Sequence, residues 1–189
     1  LLRPRFGDFC FTSYEKTILL EEIAQCRQLG AHGVVIGALT PQGDLDEDFL
    51  SQCIEQANGM YVTLHRAFDL CREPFEALEK AIALGFDCIL TSGQQATALQ
   101  GIPLLEQLVQ RADGRIDILA GSGVSPENIP ALAQKGIRCF HFSAKKTCES
   151  PMIFRKEGVP MGLPVADEYL RQYTSKDLVQ AAQKLLESL

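Results

Sequence analysis

The sequence predicts an α/β fold, a (β/α)8 TIM barrel of which the chain carries about six of the eight βα units. Three observations lead there. Short apolar runs rich in β-branched residues recur about 23 to 28 residues apart, the length of one strand plus one helix. The stretches between them carry helical periodicity, so strands alternate with helices and the sheet should be parallel. No G-x-G-x-x-G follows any strand and no change of composition marks a second domain, which favours a barrel over a doubly wound nucleotide fold.

The elements follow in order. LLRPR (1–5) reads as the first strand, and Thr12 with Glu15 as the box that starts the next helix. GVVIGAL (33–39) is the second strand, with Asp44 and Glu47 as the following helix start. MYVTLHRA (60–67), DCILTSG (87–93), RIDILAG (115–121) and RCFHFSA (138–144) complete the set. Ser125 before Pro126 places a cap and a first-turn proline in order, and Thr174 with Asp177 starts a final helix. QLGAHGVVI, ALGFDCIL and QKGIRCFHF repeat one pattern, a helix-ending glycine and then a strand. Closure needs eight units, and the chain begins with Leu1 inside a strand. The expectation is that roughly 50 to 60 further residues, two βα units, precede these in the whole barrel. The alternative is a complete six-stranded open sheet. Either way residues 1–189 form a single domain.

Composition narrows the function classes. The 189 residues are 46% hydrophobic and 22% charged, with net charge −6 and scattered basic residues, which excludes a broad nucleic-acid or anionic-membrane surface. No run approaches the roughly 18 apolar residues of a spanning helix, and no signal peptide opens the chain, so a cytoplasmic location is expected. Seven cysteines without a C-x-x-C form neither a disulfide framework nor a zinc site, and read as small buried hydrophobes in a reducing compartment.

In barrels the chemistry sits where strands end. The strand ends supply Arg3, Arg5 and Asp8, then Thr40 and Asp44, then His65, Arg66 and Asp69. Thr91, Ser92, the turn Gly121-Ser122-Gly123, and His141, Ser143 and Lys145 follow. Alternation along the last strand points Phe140 and Phe142 toward the helices and Cys139, His141 and Ser143 toward the axis. In VTLHRAFD it sends Thr63 and His65 inward. Cys139 with His141 is a candidate metal pair. The two histidines also read as interior hydrogen-bonded side chains. Arg3 and Arg5 with Asp8 and Asp69 also read as a structural salt-bridge cluster. Asp44 and Asp46 read as helix caps.

AGSGVSPENI (120–129) turns from a strand into a capped helix and exposes backbone N–H groups suited to phosphate or carboxylate. With it, Arg3, Arg5, Arg66 and Lys145 are the anion-binding candidates, with His65 as general acid or base and Asp69 orienting it. The segment from Lys145 to about Thr174 reads as a long loop rich in Pro151, Pro160, Pro164, Gly158 and Gly162, with apolar Met152, Ile153, Phe154 and Met161. It is expected to fold over the barrel mouth or against a neighbouring subunit.

RPRFGDF (3–9), GALTPQGDLD (37–46), VTLHRAFD (62–69), ILTSGQ (89–94), GSGV (121–124), HFSA (141–144) and PMIFR with MG (151–162) together resemble, in that order, the signature segments of the copper homeostasis protein CutC family. The resemblance implies a (β/α)8 barrel, a cytoplasmic homo-oligomer, and copper handling or Cu(I) binding. Phe6 in place of glycine, AGSG in place of a proline-and-glycine turn, and SAKK in place of a serine-alanine-arginine ending are departures from the pattern. Two functions stand side by side: a copper-binding homeostasis protein without turnover, and an enzyme acting on a small anion at the barrel mouth. Cu(I) prefers sulfur ligands, which the arginine, aspartate and histidine of the mouth do not supply.

Overall fold

The computed structural model describes residues 1–156, 158–159 and 167–188. Five strands, β1 (Gly33–Ile36), β2 (Tyr61–Leu64), β3 (Cys88–Thr91), β4 (Asp117–Ala120) and β5 (Cys139–Phe140), form one parallel sheet in the order of the chain. Helices α1 (Ser13–Gln28), α2 (Glu47–Ala57), α3 (Pro74–Leu84), α4 (Ile102–Ala112) and α5 (Ile129–Ala133) alternate with them. A doubly wound sheet would reverse its order at a switch point, whereas sequential order without reversal is that of a barrel wall. The sheet is an open arc of a (β/α)8 barrel.

The strand register explains why the short apolar runs suffice. Ile36 pairs with Leu64, Leu64 with Ile89, and Ile89 with Ile118, a row of branched side chains that is buried throughout. That row packs with Leu50, Leu78, Leu105 and Leu108 of the helices, all fully buried. On the opposite face Val35 pairs with Thr63, and Leu90 with Leu119 and Leu119 with Cys139; Val35, Leu90, Leu119 and Cys139 are half-buried.

The first segment departs from expectation. LLRPR is not a strand: Leu2 N–H donates to Val35 O at 2.9 Å, and the ladder goes no further. Pro4 has no N–H to continue it, and the two arginines curl back, Arg3 onto Gly7 O and Arg5 onto Asp8. Thr12 and Glu15 do form the expected reciprocal box at α1. At α2 the cap is Asp46, whose carboxylate accepts from Phe49 N–H, while Asp44 pairs with Arg72. Ser125 begins a turn rather than capping a helix. Asn128 accepts from Ser125 N–H, and α5 starts only at Ile129. The final helix, α6 (Lys176–Ser188), is preceded by Ser175 rather than Thr174 as the hydroxyl facing its first turn, at 3.5 Å from Leu178 N.

The segment expected to be a loop is instead an antiparallel hairpin of β6 (Lys145–Glu149) and β7 (Leu170–Thr174). Both strands are largely exposed, and so are Met152, Ile153 and Phe154 beyond β6, so the described part does not pack over the sheet. Pro160, Met161, Gly162 and Pro164 lie outside the described residues.

Candidate functional site

His65 follows β2 and caps a 3-10 turn, Arg66–Leu70. Its ring is buried against Phe9, centroids 4.8 Å apart, and Arg3 lies over that same phenylalanine at 4.4 Å. Room for the imidazole comes from Gly37. A side chain there would put its Cβ 2.6 Å from the histidine Cε1 and Nδ1. Gly37→Ala should therefore cost about 1–3 kcal/mol through displacement of the ring, seen as a lower urea midpoint at unchanged m value. A neutral effect would mean the ring moves freely.

The Nδ1 of His65 accepts from Ala67 N–H at 3.1 Å, which leaves the proton on Nε2, and Nε2 has no partner among the described residues. Burial, aided by the charge of Arg3, pushes its pKa down to about 4. At neutral pH the ring is uncharged, with Nε2–H as its donor.

Asp69 does not orient it. The Asp69 carboxylate is almost fully buried and accepts from Thr91 Oγ1 at 2.5 Å, Ser92 N–H at 3.0 Å, Gln94 N–H at 3.1 Å and Arg66 Nε at 2.6 Å. The bonds to Thr91, Ser92 and Gln94 tie the 3-10 turn to the end of β3, and together with Arg66 they use the oxygens a histidine would need. Thr91 and Ser92 are themselves buried in this knot. Gln94 extends it, its Nε2 donating to Cys71 O at 2.6 Å. Nothing in the periodicity singled out Gln94; its left-handed φ of 55° after Gly93 is a tertiary feature.

Arg66 is the hinge between that knot and the surface. Its Nε is held by Asp69 and its Nη2 by Ser92 Oγ at 3.0 Å, while Nη1 has no partner among the described residues. It lines a cleft of about 310 Å3 together with Leu90, Ser122, Gly123, Val124, His141, Phe142 and Ser143. Five of the polar residues expected at the mouth thus meet in one concavity. The others do not join them. Arg5 is committed to Asp8 and Glu15, and those carboxylates hold its pKa up. The Asp8 carboxyl is in turn held low by Arg5 and Cys10 N–H. Arg3 lies over Phe9, Gly121 donates its N–H to Thr91 O inside the sheet, and Lys145 heads the exposed hairpin. Leu90 and Val124 are cleft walls that sequence reasoning passed over, since an apolar residue at a strand end looks like core; Phe142, expected to face the helices, lines the cleft as well, because β5 stops at Phe140 and the alternation stops with it.

A family model describing the CutC family matches residues 1–146. A relative from Bacteroides fragilis, a CutC family protein, is 49% identical over 187 residues, covering 96% of this chain and 74% of its own. This chain belongs to the CutC family. A second CutC family protein, from Porphyromonas gingivalis, is 46% identical over 191 residues, covering 100% of this chain and 77% of its own. Among solved structures, CutC from Streptococcus agalactiae superimposes with a TM-score of 0.71 at 30% identity, covering 74% of this chain and 69% of the other. An aldolase, QR15, matches at TM-score 0.58 and 16% identity over 71% of this chain and 63% of the other, which speaks for the barrel fold alone.

Membership in the CutC family raises the question of copper, and the described donors do not fit it. A Cu(I) site needs clustered thiolates or thioethers. Burial pushes the Cys53, Cys71 and Cys88 thiols up to about 12 and raises Cys139. No group of three or more His, Cys, Asp and Glu side chains able to hold a metal occurs among the described residues. Cys139 lines a cleft of about 160 Å3 with Ile116 and Ile118, while His141 lines the mouth.

Proposed function

We propose that this protein serves copper homeostasis, with the copper ion as cargo rather than resident cofactor, in the cytosol and as a homo-oligomer. The single observation that carries the reading is the 49% identity over 187 residues with a CutC family protein. The streptococcal CutC bears copper homeostasis in its name. In the described residues no helix is long and apolar enough to cross a membrane.

This reading places the copper role apart from ligation by Cys139 and His141, because Cu(I) prefers clustered sulfur ligands. Deleting the gene from its host is expected to lower copper tolerance and to change cell copper content. Restoring either the native gene or a Cys139→Ser, His141→Ala version is expected to return both to normal. In an anaerobic titration against a chromophoric Cu(I) chelator the double variant should behave as the native protein does. Copper tolerance and content that stay the same on deletion would overturn the role. A titration in which only the double variant loses competition would restore the metal pair.

A further inference from the structure

We infer that the cleft at the ends of β3, β4 and β5 binds the phosphate group of a small molecule. The inference goes beyond the copper reading and does not rest on it.

The argument starts from donors left without acceptors. After β4 the chain turns through Ser122 and Gly123, both left-handed with φ of 73° and 70°. The turn is held by Ser122 Oγ donating to Ala96 O, by Ala98 N–H donating to Ser122 O, and by Asn128 Nδ2 donating to Gly123 O. These bonds use the carbonyls and the hydroxyl. The N–H groups of Ser122, Gly123 and Val124 donate to no partner among the described residues. Such a run of consecutive amides on one turn carries partial positive charge and is stabilised by an anion.

Arg66 enters the same cleft from the other side with Nη1 uncommitted. Asp69 and Ser92 hold its remaining nitrogens, so its orientation is set before any ligand arrives. No carboxylate lines the cleft, although the chain as a whole carries net charge −6.

Phosphate fits this donor set better than carboxylate. A carboxylate has two oxygens in a plane, which one guanidinium edge satisfies. The amides of the Ser122–Val124 turn, Arg66 after β2 and Ser143 after β5 border the cleft from different elements, and a tetrahedral group with three terminal oxygens suits donors so spread better than a planar one. The apolar walls Leu90, Val124 and Phe142 leave room beyond the phosphate for a small organic part, and about 310 Å3 is at the lower end of small-molecule pockets.

The test is a 1H–15N titration of the whole protein with inorganic phosphate at constant ionic strength, beside chloride and acetate. The expected result is saturable displacement of the Ser122, Gly123 and Val124 amide signals by phosphate, absent with chloride and weaker with acetate. Arg66→Gln should weaken phosphate binding about tenfold, with its thermal midpoint measured in parallel because Arg66 also holds Asp69. His141→Ala, a change at an exposed wall, should weaken it about threefold at unchanged thermal midpoint. Equal displacement by chloride, or phosphate affinity indifferent to both variants, would overturn the site. Acetate binding as tightly as phosphate would overturn the phosphate assignment.

Discussion

Asp69→Ala is expected to destabilise the protein by about 3–5 kcal/mol, the largest effect of any single truncation at this end of the sheet. The carboxylate satisfies Thr91 Oγ1, Ser92 N–H and Gln94 N–H, in a place where Thr91 and Ser92 are fully shielded from water. Removing it leaves several donors unmet at once, at roughly 1–3 kcal/mol for each one left buried, and releases Arg66 as well. Asp69→Asn keeps one acceptor oxygen and should cost about half as much. Urea unfolding followed by circular dichroism measures both. A loss below about 1 kcal/mol for the alanine variant would show that water replaces the carboxylate and that the knot is not what joins the 3-10 turn to β3.

Acid should weaken the fold through His65. Its pKa is pushed from the usual value near 6.5 down to about 4, chiefly by burial. The unfolded chain therefore binds a proton at a pH where the folded chain does not. The associated stability is fully present above pH 6.5 and is lost progressively as pH falls toward 4, and the total is about 3 kcal/mol at 1.36 kcal/mol per unit. Replacing His65 with phenylalanine removes the titration, so the difference in stability between native and variant should change by that amount between pH 7 and 4. Carboxylates held low by Arg5, such as Asp8, contribute to acid unfolding in both proteins and cancel in the difference. Parallel stability curves for the two proteins across that interval would sink the assignment. The same burial keeps the His65 ring uncharged near neutral pH, with Nε2–H as a donor that has no partner among the described residues.

Much of the site was legible because strand ends in a barrel wall point one way. Arg66, Ser122, Gly123, His141 and Ser143 are far apart in the chain, yet each follows a strand, and a parallel sheet brings all such positions to one edge. Arg3, Arg5 and Lys145 were misplaced for a common reason. Each was taken as the end of a strand, but LLRPR makes only one ladder bond and β5 stops at Phe140. Local pattern carries no information about where a ladder loses its partner.

By itself the sequence determined the class of fold, the order of its strands and helices, and the candidates from which a mouth could be built. The period of the apolar residues is a local property, and so is the Thr12–Glu15 box that starts α1. Tertiary structure alone decided which candidate did what. Asp69 and His65 are four residues apart in the chain, but the first spends its oxygens on the β3 turn and the second is sealed under Phe9. Whether a polar side chain is free to meet a ligand depends on which donors and acceptors the rest of the chain has already placed around it. Those partners come from distant positions, Thr91, Ser92 and Gln94 for Asp69, so no reading of the segment alone could have counted them.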